Sequence, residues 1–175
     1  MSNLLNRTVA FGGEKFVPRS FDENSFVMDW EAGKGAGVPP HFHRYSDEHF
    51  TVTKGEVTFT VNGETMVKRE GDTLVVPRMT PHSIKNKTND AIGLRVVYTP
   101  NADTHKMFGC WSTLLDEGNG MMSVFMKWWF IQEKLGWRKF SEPADGSGRA
   151  MFSAVGGLAM LLGGLLGWKK YLDKF

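Results

Sequence analysis

The chain has 175 residues, and its 21 basic residues nearly balance 19 acidic ones, giving a formal net charge of +2. This length can bury one good core with a helical annex, but not two large domains. The even charge balance, without a basic run interleaved with aromatic side chains, argues against a nucleic-acid partner. The single cysteine, Cys110, excludes an intrachain disulfide framework and favours a packed thiol over a reactive one.

The first thirteen residues lack an apolar run long enough for a signal peptide, so we expect a cytoplasmic protein. Short strands are predicted over residues 7–11 and 14–17, with the second ending at Pro18. Residues 25–31 alternate, with Phe26, Met28 and Trp30 on one face, which predicts a half-buried strand. Residues 33–40 are predicted to form a loop.

Two histidines and a glutamate follow that loop. His41 and His43 are two residues apart, so on an extended chain both imidazoles face the same side. Glu48 has the same parity as the apolar residues Phe50 and Val52, which places its carboxylate toward a core. A buried, ionised carboxylate is costly unless a cation compensates it, and a metal shared with two imidazoles would do so.

Residues 47–61 are predicted to be two strands broken at Lys54-Gly55, with Val57, Phe59 and Val61 alternating inward in the second. Asn62-Gly63 indicates a tight type I′ hairpin. Further strands are expected at residues 64–69, 73–76, 82–86 and 92–99. Several short strands with regular turn signals predict an all-β sandwich or barrel.

His82 has the same parity as Ile84 in the strand at 82–86 and therefore also points inward. Three histidines and one glutamate converging on one interior predict a first shell for a divalent transition metal. His49 and Asp47 have the opposite parity to Glu48 and are expected to point outward. His105 has no evident partner in the sequence.

The two ligand stretches resemble the paired motifs of the cupin superfamily. Gly35, His41, His43, Glu48 and Gly55 match the first motif in full. The second motif is matched at Gly71, Pro77, His82 and Asn86, but Met79 stands where the family usually has glycine. Because glycine eases a turn with positive φ, Met79 affects the local turn and not the ligand.

The resemblance implies a double-stranded β-helix, or jelly roll, in which His41, His43, Glu48 and His82 bind one divalent metal. The residues do not choose among Fe, Mn, Ni, Zn and Cu. We expect Phe50, Val52, Phe59 and Ile84 to line a pocket. The superfamily includes dioxygenases, isomerases and non-enzymatic binders, so the expected function is a metal-dependent enzyme acting on a small oxygen-rich substrate. The alternative is a non-catalytic small-molecule-binding or sensing module.

The predicted secondary structure changes from strands to helices at Pro100. We expect residues 1–100 to be the cupin barrel and residues 101–175 a helical extension that packs on the barrel or on a partner subunit. Residues 121–135 predict a helix with Gly136 as its stop, and residues 141–148 predict a polar linker.

An uncharged run covers residues 150–168, between Arg149 and Lys169-Lys170. Its length suits a bilayer span, but its five glycines weaken insertion, and a packed helix over residues 150–172 is favoured. The helices carry too much apolar surface to remain exposed, so we expect a homodimer. Membrane association through residues 150–168 is the alternative.

Overall fold

Eleven strands and three α-helices occur in residues 4–11, 13–117 and 120–175, the part of the chain that this computed structural model describes. The strands are β1 (Val9–Phe11), β2 (Glu14–Phe21), β3 (Phe26–Ala32), β4 (Gly37–Phe42), β5 (Asp47–Lys54), β6 (Glu56–Val61), β7 (Glu64–Arg69), β8 (Thr73–Val76), β9 (His82–Lys85), β10 (Ile92–Thr99) and β11 (Glu142–Pro143). The helices are α1 (Thr104–Asp116), α2 (Met121–Leu135) and α3 (Gly146–Leu165), with 3-10 helices at Trp137–Phe140 and Trp168–Lys174.

The strands form two antiparallel sheets around one apolar core. One sheet has the order β1-β2-β3-β10-β5-β8 and the other has the order β11-β4-β9-β6-β7. Phe26, Met28 and Trp30 are buried, as their alternation predicts. Both sheets contribute to the same cluster, since Phe50 of β5 packs 5.0 Å from Phe59 of β6 between ring centroids. The expected jelly roll is therefore present as a β-rich barrel, although the helices make "all-β" only approximate.

The hairpin between β6 and β7 follows the sequence prediction. Asn62 and Gly63 both have positive φ, at 49° and 86°, and Val61 pairs with Glu64. This left-handed pair matches the twist of the two strands, which fixes their register.

Two proline-based boundaries were wrong. β2 continues through Pro18 to Phe21, and β4 begins at Gly37 and includes Pro39-Pro40 where a loop was expected. In both strands the ladder register shifts near the prolines, between Pro18 and Ser20 and between Val38 and His41. Proline lacks an amide donor, and an irregularity in the ladder accommodates it without breaking the strand.

The helical region differs from the prediction more than the barrel does. α2 has the predicted bounds, and Gly136 ends it with φ 73°. α1 had no counterpart in the sequence prediction. The expected linker at residues 141–148 contains β11 and the beginning of α3, whose N-cap Asp145 accepts a hydrogen bond from the Gly148 amide. The tail helix ends at Leu165 and continues as a 3-10 turn.

The helices have an apolar cluster of their own, centred on residues such as Leu114, Phe130, Ile131 and Trp168. α3 approaches α2 closely at Gly156 and Gly163, where an added Cβ would lie 2.3 Å from Glu133 Oε1 and 2.2 Å from the Phe130 ring. Phe108 of α1 packs against the barrel core. The division into two domains at residue 100 stays a prediction.

The side of α3 away from α2 is exposed and apolar. Met151, Leu158, Leu161 and Leu165 are between 50% and 75% exposed, and their spacing of seven, three and four places them on one face. By length and composition α3 could cross a membrane, but the same holds for core helices of soluble proteins. The expected homodimer and the alternative of membrane association both stay predictions.

We expect Gly163→Ala to lower the free energy of unfolding by about 1–3 kcal/mol, because the new methyl group overlaps the Phe130 ring. Gly157→Ala is the matched control, since nothing lies within 4 Å of its Cβ position. There alanine should stabilise the helix by about 0.5–1 kcal/mol. Urea unfolding measures the free energy of unfolding of both variants. Equal changes of this free energy in the two variants would contradict this packing of α3 on α2.

If a second copy covers the exposed face of α3, Leu158→Glu combined with Leu161→Glu should convert a dimer into a monomer, because four carboxylates would enter one interface. Sedimentation velocity measures the change, and Val67→Glu, an exposed position on β7, serves as the control. A wild-type protein that is monomeric at high concentration would contradict the dimer. Recovery in the membrane pellet after a high-salt wash would support the membrane alternative instead.

Candidate metal centre

The barrel interior holds His41, His43, Glu48 and His82 together. His41 on β4 pairs with His82 on β9, and Glu48 comes from β5 in the other sheet. His43 follows directly after β4. All four side chains are buried, with residue exposures of 2–8%. The four side chains therefore share one interior, and their role as metal ligands stays a prediction.

The ligand atoms of these residues converge on one point. One atom from each side chain lies within 4.8 Å of the others. Glu48 Oε2 is 2.9 Å from His43 Nε2 and 2.9 Å from His82 Nε2. His41 Nε2 is 3.2 Å from His43 Nε2. A cation placed among them would meet three nitrogens and one carboxylate, the donor set that divalent transition metals accept.

Each imidazole is oriented by a backbone carbonyl on its other side. His41 Nδ1 is 2.9 Å from Pro39 O, His43 Nδ1 is 2.8 Å from Phe140 O, and His82 Nδ1 is 2.9 Å from Thr80 O. A carbonyl only accepts, so Nδ1 carries the proton, and in the neutral ring Nε2 then presents a lone pair to the centre. This carbonyl support is typical of metal-binding histidines. The residues therefore fit a metal site.

The electrostatics of the cluster favour an ionised Glu48 and a neutral His41. Burial, together with the neighbouring His82 and His43, lowers the pKa of His41 to about 3. Burial also opposes charge on Glu48, but His43 and His82 outweigh it and hold the pKa of Glu48 well below its usual range. Burial lowers the pKa of His43, but the neighbouring Glu48 carboxylate has the larger effect and raises it. The imidazoles of His43 and His82 thus stabilise the Glu48 carboxylate as an anion. A bound cation would stabilise it further.

The comparisons with known proteins agree with this geometry. Residues 28–98 match the family model of the cupin domain. Residues 28–98 are a cupin domain. Two solved structures share its fold at a TM-score of 0.51. KdgF from Halomonas sp. is 19% identical and the match covers 56% of this chain and 90% of that one. An RmlC-like cupin from Shewanella frigidimarina is 24% identical, with 54% and 84% covered.

A curated relative also matches part of this chain. The tetracenomycin polyketide synthase protein TcmJ of Streptomyces glaucescens is 31% identical over 75 residues, which is 43% of this chain. The match spans 49% of TcmJ, so this chain covers about half the length of that relative. The helical region lies outside the family match, which ends at residue 98.

The sequence reasoning missed Tyr98, which touches the centre. Tyr98 on β10 lies directly opposite Glu48 on β5. Its hydroxyl hydrogen-bonds to Glu48, and its ring stands 5.2 Å from His43 between centroids. Burial, followed by the charge and hydrogen bond of Glu48, raises the pKa of Tyr98 well above its usual range. The sequence does indicate that Tyr98 points inward, because it has the same parity as Leu94 and Val96. It does not indicate the strand register that places Tyr98 opposite Glu48.

The second missed group is the Phe140 carbonyl that accepts from His43. It comes from the 3-10 helix 97 residues further along the chain. The next residues form β11, in which Glu142 and Pro143 pair with Phe42 and His41 of β4. The C-terminal segment therefore belongs to the shell around the cupin metal residues, and no local motif indicates it.

The other candidate residues have structural roles. Phe50, Val52, Phe59 and Ile84 are buried in the barrel core, and Phe50 lies 6.4 Å from His82 between ring centroids. Their role as pocket walls stays a prediction. Asp47 accepts from the Arg78 amide. His105, expected to lack a partner, instead stacks on Phe21 at 4.3 Å and contacts Asn101.

The departure from the second cupin motif has a visible consequence. Met79 adopts φ 64°, the left-handed conformation that glycine would take without strain. Its amide nevertheless donates to the His43 carbonyl over 2.7 Å, which ties the turn to the ligand strand. Asn86, at the other end of the motif, is buried and donates to the carbonyls of Ala32, Gly33 and Asp90. It therefore ties together the loops at that end of the barrel.

We expect Tyr98→Phe to weaken metal binding about tenfold to a hundredfold without unfolding the protein, because Glu48 loses a hydrogen bond that orients it. Competition with a chromophoric chelator measures the affinity. Tyr45→Phe is the control, since Tyr45 is exposed and its ring faces Phe140. Identical affinities for Tyr98→Phe and wild type would show that Tyr98 only fills space.

Proposed function

We propose that the cupin domain binds one divalent transition-metal ion through His41, His43, Glu48 and His82. The observation that supports this most directly is the convergence of three Nε2 atoms and one carboxylate within 4.8 Å. The three Nδ1 atoms are already engaged by carbonyls. Lone pairs of neutral rings facing one another and a carboxylate in a buried space are unfavourable, so a proton or a metal cation has to lie among them.

The charge of the site favours ligands that offer oxygen. One carboxylate and neutral imidazoles leave a divalent ion with a net charge of about +1. We expect a small molecule with two neighbouring oxygens, such as an enediol or a β-dicarbonyl. The similarity to a protein named as part of a polyketide synthase supports the β-dicarbonyl class, because polyketide chains carry carbonyls at alternate carbons.

A metal held here would supply Lewis-acid polarisation of a carbonyl or, if it is redox-active, electron transfer with dioxygen. The protein's own residues have separate tasks. The Tyr98 hydroxyl holds the Glu48 carboxylate, and the Phe140 carbonyl holds the His43 ring in its tautomer. Phe50, packed edge-on to His82, keeps water from that side of the centre.

We infer an enzyme of the dioxygenase or isomerase type, with a non-catalytic small-molecule-binding or sensing module as the alternative. An enzyme converts its substrate into product, whereas a binding or sensing module only binds its ligand. The protein reconstituted separately with Fe²⁺, Mn²⁺, Ni²⁺, Cu²⁺ and Zn²⁺ should be tested against β-diketones, catechols and aldose–ketose pairs, with dioxygen uptake and product formation recorded. Saturable binding without turnover for every metal would favour the alternative.

Metal binding itself is tested by removing two ligands. His41→Ala combined with His82→Ala should lose stoichiometric metal, measured by elemental analysis of protein purified without affinity-column metals. The barrel should remain folded, because its large apolar core is unchanged. In the wild type, metal at a hundred times its Kd should stabilise the fold by about 2.7 kcal/mol, and the double variant should lose that effect.

His49→Ala is the matched control, since His49 lies next to Glu48 on β5 but is not part of the cluster. The His49→Ala protein should keep both the bound metal and the stabilisation of the fold by metal. Stoichiometric metal in the His41→Ala/His82→Ala protein would refute the assignment.

A further inference from the structure

We propose that a groove between the cupin domain and α3 binds a small aromatic molecule that carries an acidic group. The groove has a volume of about 480 Å³ and lies between the β4–β5 connection and the segment that leads from the 3-10 helix into α3. Small-molecule sites typically have roughly 300–1,000 Å³. None of the four metal-site residues lines the groove, so this site goes beyond the proposed function and does not depend on it.

The groove has an excess of positive charge. Arg44, Lys139 and Arg149 line it together with one carboxylate, Glu142. Arg44 Nε donates to Glu142 Oε1 over 2.7 Å, so these two charges neutralise each other. Lys139 and Arg149 form no ion pair with any carboxylate of the described residues. Two cations at one concave surface favour an anionic oxygen group such as a carboxylate or a phosphate.

Asp145, the N-cap residue of α3, carries a carboxylate that interacts with the charge of Arg149 and is already used by the helix. Asp145 accepts hydrogen bonds from the Gly148 amide and from the Ser147 hydroxyl over 2.7 Å, and it does not line the groove. Its hydrogen bonds are therefore committed to capping α3. Arg149 remains the charged side chain that α3 contributes to the groove wall.

A smaller cavity of about 140 Å³ shares the Phe152 wall with the groove. Trp128 and Trp129 line it, and so does Gln132, which is only 2% exposed. Both amide atoms of Gln132 and Nε1 of Trp129 are buried without a hydrogen-bond partner among the described residues. Unpaired buried polar groups are unfavourable, and native proteins keep few of them without a reason.

Phe152, whose ring packs 4.7 Å from Trp129 between centroids, stands between the two cavities. We infer that the occupant displaces this ring and reaches from the groove into the smaller cavity. An acidic group would be held by Lys139 and Arg149, and a flat ring would pack against Phe152 and the tryptophans. A hydroxyl or carbonyl at the far end of the molecule would pair with the Gln132 amide. This description fits a phenolic acid or a related aromatic phosphate.

The charge component is tested by calorimetric titration of the full-length protein with benzoate, phenyl phosphate and neutral benzyl alcohol. Both anions should bind, and benzyl alcohol should bind at least tenfold more weakly. Arg149→Gln should weaken both anions about tenfold, because one charged hydrogen bond is lost. Lys169→Gln, an exposed position outside the groove, is the control and should leave binding unchanged. Whichever of benzoate and phenyl phosphate binds more tightly identifies the acid group.

The deeper cavity is tested with 4-hydroxybenzoate and 3-(4-hydroxyphenyl)propionate, each compared with the same acid lacking the hydroxyl. The wild type should prefer at least one hydroxylated acid. Gln132→Leu should abolish that preference, leave the affinity for benzoate unchanged and raise the melting temperature of the free protein, because an unpaired amide is removed.

Several results would overturn the proposal. One is the absence of binding by all five acids at millimolar concentration, and another is an equal loss of affinity in Lys169→Gln. If Gln132→Leu leaves the preference for hydroxylated acids unchanged, the smaller cavity does not bind the ligand and holds only water. Every titration is repeated in the His41→Ala/His82→Ala protein. Loss of anion binding in that variant would place the anion at the metal centre and contradict a separate groove, whereas retained binding would support the groove even if the metal assignment fails.

Discussion

The buried carboxylate of Glu48 constrains the cupin domain more than any other group. It lies between two sheets at 3% exposure, with imidazole nitrogens of His43 and His82 at 2.9 Å and the Tyr98 hydroxyl beside it. An anion in such a place is stable only if every neighbour is oriented toward it. The register of β5 against β10, the pairing of β4 with β9 and the three carbonyls behind the histidines all meet this requirement.

The helical region contributes contacts to the barrel. The Phe140 carbonyl fixes the His43 ring, and β11 extends the sheet at the edge of β4. The same segment forms one wall of the positively charged groove, with Lys139 and Glu142 facing it. A molecule in the groove would therefore contact the segment that orients a metal-site histidine.

The departures from the sequence prediction share a physical cause. The sequence predicts a strand end at Pro18 and a loop that runs through Pro39-Pro40, but the ladders tolerate these prolines through register shifts. Asp145 and Gly148, which suggested a linker, cap a helix that continues for 20 residues. Local propensity describes what a residue prefers in isolation, and packing of the neighbouring strand or helix outweighs that preference by more than the ~1 kcal/mol at stake.

The sequence by itself determined the barrel and the four residues at its centre, because strand alternation fixes which side chains face inward and two spaced motifs place His41, His43, Glu48 and His82. Asn62-Gly63 likewise set its hairpin through local backbone preference alone. Only the tertiary structure decided that Tyr98 meets Glu48 and that the Phe140 carbonyl meets His43. It also decided that the buried side-chain amide of Gln132 has no hydrogen-bond partner among the described residues. These contacts join residues up to 97 positions apart. Their register depends on the packing of whole strands and helices, which no local pattern encodes.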